Sequence, residues 1–184
     1  EVKEDKQEVN RRYFIIMEIV GDKTLDKFIK EKKDANELTL TIVLDIFKQM
    51  CEAVNILHKN KLFHGDLKGD DIRIGKNNQV YIIDLQCSYE NAYNNPSCER
   101  IATPFYMSPY KASDCIGFDG ENKIECQYRS DIWSMGVILY NILTGKFLSD
   151  AENIMAILWK IGDAMKNNLA LLQQNDDGKL YNNV

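Results

Sequence analysis

Four side chains in one short stretch could do chemistry together: Asp66, Lys68, Asp71 and Asp84. The three carboxylates are hard oxygen ligands for a small divalent cation, and any one of them can accept a proton. Lys68 places a cation two residues after the first carboxylate. A positive point charge among acidic oxygens suits a phosphate group held together with a metal ion. The residues lie in Phe63-His64-Gly65-Asp66-Leu67-Lys68-Gly69-Asp70-Asp71-Ile72-Arg73-Ile74, followed by Tyr81-Ile82-Ile83-Asp84. This is an acidic loop between short apolar runs, so its neighbours must supply the rigidity.

Those neighbours are legible as elements. Thr39 is an N-cap for a long helix reaching Lys59, in which Ile42, Ile46, Phe47, Met50, Ala53, Val54 and Leu57 recur at helical spacing. Asn60 ends it at a position that tolerates left-handed backbone. Ile72-Arg73-Ile74 and Val80-Tyr81-Ile82-Ile83 flank Gly75-Lys76-Asn77-Asn78 as a hairpin. Upstream, the apolar run Tyr13 to Val20, closed by Gly21-Asp22, reads as a buried strand ending in a turn. Thr24 then caps a short helix from Leu25 to Lys32. Downstream, Asp131 to Thr144 is almost wholly apolar, with Asp131 as N-cap and Gly145 as the residue past its end, which describes a buried helix. Ala151 to Ile161 reads as an amphipathic helix and Asp163 to Leu172 as one more. Residues 1–12 form a solvated lead-in, and 173–184 a polar tail.

The bulk numbers fit one soluble domain. The chain has 184 residues, 45% hydrophobic and 28% charged, enough for one core and too few for two. A formal net charge of -5 argues against nucleic-acid binding, which needs clustered Lys and Arg to release counterions. No apolar run has the roughly 18 residues of a membrane span, and the charged first residues do not read as a secretory signal. Cys51, Cys87, Cys98, Cys115 and Cys126 are odd in number without a C-x-x-C pair. They read as free thiols of a reducing, cytoplasmic compartment.

The acidic stretch resembles the catalytic loop of the eukaryotic protein kinases, H-R-D-L-K-x-x-N followed by the metal-binding D-F-G. Three further landmarks share the family's order. Met17 to Asp22 resembles the hinge, with Glu18 and Val20 as nucleotide-facing backbone. Ala102-Thr103-Pro104-Phe105-Tyr106-Met107-Ser108-Pro109-Tyr110 is similar to the end of the activation segment, here 84–110. Residues 131–144 resemble the central helix, whose first Asp accepts hydrogen bonds from the catalytic-loop backbone. The resemblance covers roughly residues 13–165, within a C-lobe drawn over 13–172. It implies an α+β, mainly α-helical fold: a protein-kinase-like C-lobe with a small β-hairpin and an isolated hinge strand, the N-lobe being absent. It further implies Asp66 as the base that accepts a substrate hydroxyl proton, Lys68 as the cation at the transferred phosphate, and Asp71 with Asp84 as Mg²⁺ ligands.

The departures from the family pattern point away from catalysis. Gly65 stands where Arg is usual, Asp71 where Asn binds the second metal, and Leu85-Gln86 where Phe-Gly follows the metal-binding Asp. Arg73 falls at the apolar floor beneath adenine, where a guanidinium must stack on the base or swing to solvent. Tyr110 replaces a Glu that pairs with an Arg in later helices. The reading is a pseudokinase-like binding or scaffold protein with weak or no phosphoryl transfer and no bound cofactor. A protein partner is expected to cover the face left by the missing N-lobe and late C-lobe helices. The alternatives are an active Ser/Thr-type kinase using ATP and Mg²⁺, with its N-lobe elsewhere, and a structural subunit of an intracellular assembly.

Overall fold

The computed structural model describes residues 16–85, 103–115, 123–148, 156–157 and 160–161. Among the described residues the first regular element is a two-residue strand, β1 (Lys23–Thr24), running directly into helix α1 (Leu25–Asp34). Thr24 caps that helix by accepting a hydrogen bond from Lys27 N at 3.3 Å, and Leu25, Phe28 and Ile29 form its buried face. Helix α2 (Leu40–Lys59) starts in the same way, Thr39 accepting from Ile42 N at 3.3 Å. Val43, Ile46, Met50 and Val54 form its buried stripe. Both caps fall where residue type places them. The left-handed residue after α2 is Lys61 (φ 59°) rather than Asn60. Asn60 instead turns its side-chain amide back onto the Ile56 carbonyl.

Strands β2 (Ile72–Ile74) and β3 (Val80–Ile82) form the expected antiparallel hairpin, and β1 adds to the free edge of β2, giving the order β1-β2-β3. Asn77 and Asn78 make the turn with φ of 55° and 59°. Period-two alternation sends Ile72 and Ile74 into the core and Arg73 to the other face, between Thr24 and Tyr81. Gln49 of α2 fastens the hairpin to the helix, its amide donating to Asn78 O at 3.1 Å and accepting from Val80 N at 3.0 Å.

The expected strand over Tyr13–Val20 does not appear in the part described. Residues 13–15 lie outside the described residues, and 16–20 are irregular, with Ile16 96% and Ile19 94% exposed. An apolar run becomes a strand only where another strand takes its backbone groups. Here the edge of β2 is taken by Lys23–Thr24. The isolated hinge strand is thus replaced by a third strand, displaced downstream. Gly21 makes this possible: its φ is +64°, and a Cβ there would lie 2.8 Å from Arg73 Cβ.

The chain is described again at Thr103, which leads through a 3₁₀ turn (Pro104–Tyr106) to helix α3 (Pro109–Cys115). Helix α4 spans Lys123–Thr144 and ends as expected, Gly145 (φ +71°) donating its N–H to Asn141 O at 2.8 Å. Asp131 is therefore not an N-cap but sits inside α4. The reason is that its carboxylate is spent elsewhere. It is 1% exposed and accepts from His64 N (2.8 Å), Gly65 N (2.9 Å) and His58 Nε2 (2.9 Å). Of the two later helices, only 156–157 and 160–161 are described, and they are helical, with Ile157 and Ile161 buried against Met107 and Ala112. Residues 163–172 lie outside the described residues. One main core joins α1, α2, the sheet and α4, and among the described residues no helix is long and apolar enough to cross a membrane.

Asp131 is the acceptor for two buried loop amides, so its removal tests the fold directly. Asp131→Ala is expected to cost about 3–5 kcal/mol in denaturant unfolding, because both amides lose their partner. Asp131→Asn keeps one acceptor oxygen and should lose less. Equal midpoints for Ala and wild type would contradict this role.

Candidate active site

The loop of residues 64–71 is built from its backbone outward. Asp131 holds the amides of His64 and Gly65 from below. The His64 ring, 1% exposed, pairs through Nε2 with Ile83 O at 3.0 Å. Ile83 N donates to Asp71 O at 2.9 Å. The peptide just before Asp84 is thus gripped on both sides, which sets Asp84 beside the loop although strand β3 has already ended.

Within this frame the loop brings three of the expected residues together. Lys68 Nζ lies 3.1 Å from Asp66 Oδ2 and 3.4 Å from Asp71 Oδ2. The other Asp66 oxygen accepts from Thr103 N at 2.6 Å. Asp66 is thereby oriented from the loop and from the returning segment. Burial opposes the charge on Lys68, but the hydrogen bond and charge of Asp66, with Asp71, outweigh it and raise its pKa. Asp71 is 5% exposed, and burial holds its carboxyl above the usual range even with Lys68 nearby. Its Oδ2 has no hydrogen-bond partner.

The remaining candidates lie to one side. Asp84 is exposed and held at φ +65°, a backbone region that a non-glycine residue seldom occupies without external constraint. Arg73 is half-buried on the face of the sheet away from the core, where Gly21 packs beside its Cβ. Val20 is half-buried and Glu18 exposed in the irregular stretch before Gly21. Of the hinge-like stretch, Gly21 is the residue that lies against Arg73. Gln86 and most of the activation-like segment lie outside the described residues.

A hard cation is chemically compatible with this donor set. Asp71 Oδ2 is buried, makes no hydrogen bond and faces the Lys68 ammonium at 3.4 Å; a carboxylate oxygen of this kind can also serve such an ion, and Asp71 with Asp84 would hold it. Among the described residues no three acidic, His or Cys side chains converge on one point. A Mg²⁺ here would therefore take its remaining ligands from phosphate oxygens and water, as that ion commonly does.

Two participants escaped the sequence reading. Thr103 acts through its backbone N–H, which no side-chain pattern reveals. Lys111 is 4% exposed and donates to Gly65 O. Its signal was a lone Lys beside the run from Met107 to Pro109, a place where charge is unusual. Tyr106, packed by the loop, has its hydroxyl pushed up to about 12 by burial and by the charge of Asp26.

The helical lobe, the three-stranded sheet and an Asp-Lys-Asp loop pinned to a buried central helix define a kinase-like domain. The sequence profile of the protein kinase domain matches residues 3–183, and the chain belongs to that family. It is 29% identical over 177 residues to serine/threonine-protein kinase nekl-2 of Caenorhabditis elegans, covering 92% of this chain and 47% of that protein. A probable serine/threonine-protein kinase KIN1 homolog of Encephalitozoon cuniculi is 32% identical, over 83% of this chain and 25% of its own length. A probable serine/threonine-protein kinase of Clostridium acetobutylicum is 29% identical, over 80% and 21% respectively. The chain spans less than half the length of each of these relatives.

Burial of Asp71 predicts a pH signature. Its native pKa is raised, so the fold holds this proton more tightly than the unfolded chain does. Stability from this group falls as pH rises from about 3.9, the unfolded value, through the raised native value, and the penalty is complete above it. Asp71→Asn should therefore stabilise the chain near pH 7 by roughly 1 kcal/mol. The gain should vanish in acid, where Asp71 is itself neutral. Denaturant midpoints across that range check this; an Asn variant less stable at neutral pH would mean that the Lys68 pair outweighs burial.

Proposed function

We propose that this chain is the C-terminal part of a protein kinase-type domain that works by binding, with phosphoryl transfer weak or absent. The observation that carries the reading is the position of Lys68 between two carboxylates, at 3.1 and 3.4 Å. A cation that is to stabilise a transferring phosphate must have charge to spare for it. The family's usual amide at position 71 is neutral. A carboxylate there consumes the Lys68 charge and adds a negative charge next to where a triphosphate would lie. Arg73 at the adenine-floor position compounds the defect, since its half-buried guanidinium occupies a place meant for an apolar side chain.

The binding side of the reading is supported by exposed apolar residues. Ile132 and Leu143 on α4 and Leu40, Leu44 and Ile56 on α2 are more than half exposed. A groove of about 450 Å³ lies between these helices, lined among others by Phe47, Val54, Ile132 and Met135. Surface of this kind is what a protein partner covers.

A second reading, an ATP- and Mg²⁺-dependent serine/threonine-type kinase, is favoured by one observation: Lys68 stays within ion-pair reach of both Asp66 and Asp71, so the base, the cation and a metal-ligand candidate share one place. The relatives' descriptions as serine/threonine-protein kinases agree with it. In that case Asp66 would take the proton of the substrate hydroxyl, Lys68 would neutralise the moving phosphate, and Asp71 with Asp84 would hold the metal, which supplies charge neutralisation when bound.

Transfer of labelled γ-phosphate to a degenerate Ser/Thr peptide mixture, measured on the full-length protein, separates the two. The binding reading expects incorporation no higher than that of an Asp66→Ala control. Mg²⁺-dependent incorporation that this control abolishes would establish the kinase reading.

A further inference from the structure

The Gly65 backbone is held at both its N–H and its carbonyl, and only one of these restraints follows from the family pattern. Its N–H goes to Asp131. Its carbonyl accepts from the ammonium of Lys111, a residue of α3 that is 46 positions away in the chain. Gly65 has φ +85°. Glycine at this φ is unstrained, but it has no side chain to brace it, and without outside contacts it would be the loosest point of the loop. Asp66 is the next residue, so any freedom at Gly65 is passed directly to its carboxylate.

Burying an ammonium is costly unless good acceptors surround it. The environment of Lys111 is accordingly polar. Ser108 Oγ lies 2.7 Å from Ser130 Oγ and accepts from Lys111 N at 3.3 Å. Ser134 Oγ donates to Tyr106 O at 2.9 Å. These bonds dock the start of α3 on α4 and aim the Lys111 stem at the loop. The remaining space, lined by Gly65, Asp66, Thr103, Ser108, Lys111 and Ser130 among others, is only about 10 Å³. That leaves room for at most one water, so the lysine has little freedom to leave.

We propose that Lys111 is a positioning residue for the loop: its buried ammonium clamps the Gly65 carbonyl and ties the order of Asp66 to that of residues 103–111. Two bonds then join the same pair of segments, Lys111 to Gly65 O and Thr103 N to Asp66 Oδ1. Loosening either segment loosens the other. The inference stands apart from the question of phosphoryl transfer, because it concerns the loop's geometry alone.

Hydrogen–deuterium exchange on the purified chain tests it, comparing wild type with Lys111→Met, Lys111→Gln and Lys111→Arg. The Met and Gln variants remove the cation and should speed exchange in peptides covering 63–68 and 103–108 by roughly tenfold. Peptides from the middle of α2 should stay at wild-type protection. Arg, still a cationic donor, should restore protection at 63–68. A general loss of stability would raise exchange in α2 as well, and thus reads differently. The proposal is overturned if, in whichever of the Met and Gln variants folds, 63–68 exchanges as in wild type or rises only in step with α2.

Discussion

Everything at this site depends on a buried carboxylate. Asp131 has no exposure to water and no place in a helix cap. It sits buried within α4, where two loop amides and the His58 ring converge on it. A loop carries many backbone donors that its own short span cannot satisfy. By meeting two of them from below, Asp131 converts residues 64–66 from a flexible connection into a fixed shelf. His64 extends the constraint to Ile83, and so to the backbone entering Asp84. The acidic residues are thereby held close together at a place where their mutual repulsion would otherwise drive them apart.

Lys68 is what makes that crowding tolerable. At an effective dielectric constant of about 20, unit charges 4 Å apart interact with roughly 4 kcal/mol before solvation is counted. Two carboxylates at 3.1 and 3.4 Å therefore hold the ammonium strongly. The same arithmetic underlies the proposal that phosphoryl transfer is weak or absent. On the binding reading proposed above, Lys68 charge committed to the two carboxylates is unavailable to an incoming phosphate, and the surplus carboxylate repels it.

Much of this was legible in the sequence where the signal is local. Thr24 and Thr39 cap their helices, Gly145 ends α4, and the hairpin between Ile72 and Ile82 falls as its alternation and turn residues imply. The family likeness also foresaw that Asp131 receives the loop amides. What failed depends on tertiary partners. The apolar run ending at Val20 has strand composition, yet Ile16 and Ile19 are exposed, because pairing is a property of two segments and β2 took Lys23–Thr24 instead. Asp131 has the right type for an N-cap, but the same carboxylate serves equally as a buried acceptor, and no breaker between Lys123 and Ser130 stops the helix from starting earlier. Lys111 and Gln49 act across long chain separations, where side-chain type gives no hint of direction.

The central claim is that Asp71 leaves the loop's cation with no charge to spare for a nucleotide. Its most direct test is the melting midpoint of the chain with and without Mg²⁺-ATP, for wild type and Asp71→Asn side by side. A ligand at a hundred times its dissociation constant stabilises its binder by about 2.7 kcal/mol. The account predicts no nucleotide-dependent shift in wild type and a Mg²⁺-dependent rise in the Asn variant. A clear rise in wild type that Asp71→Asn leaves unchanged or diminishes would contradict it.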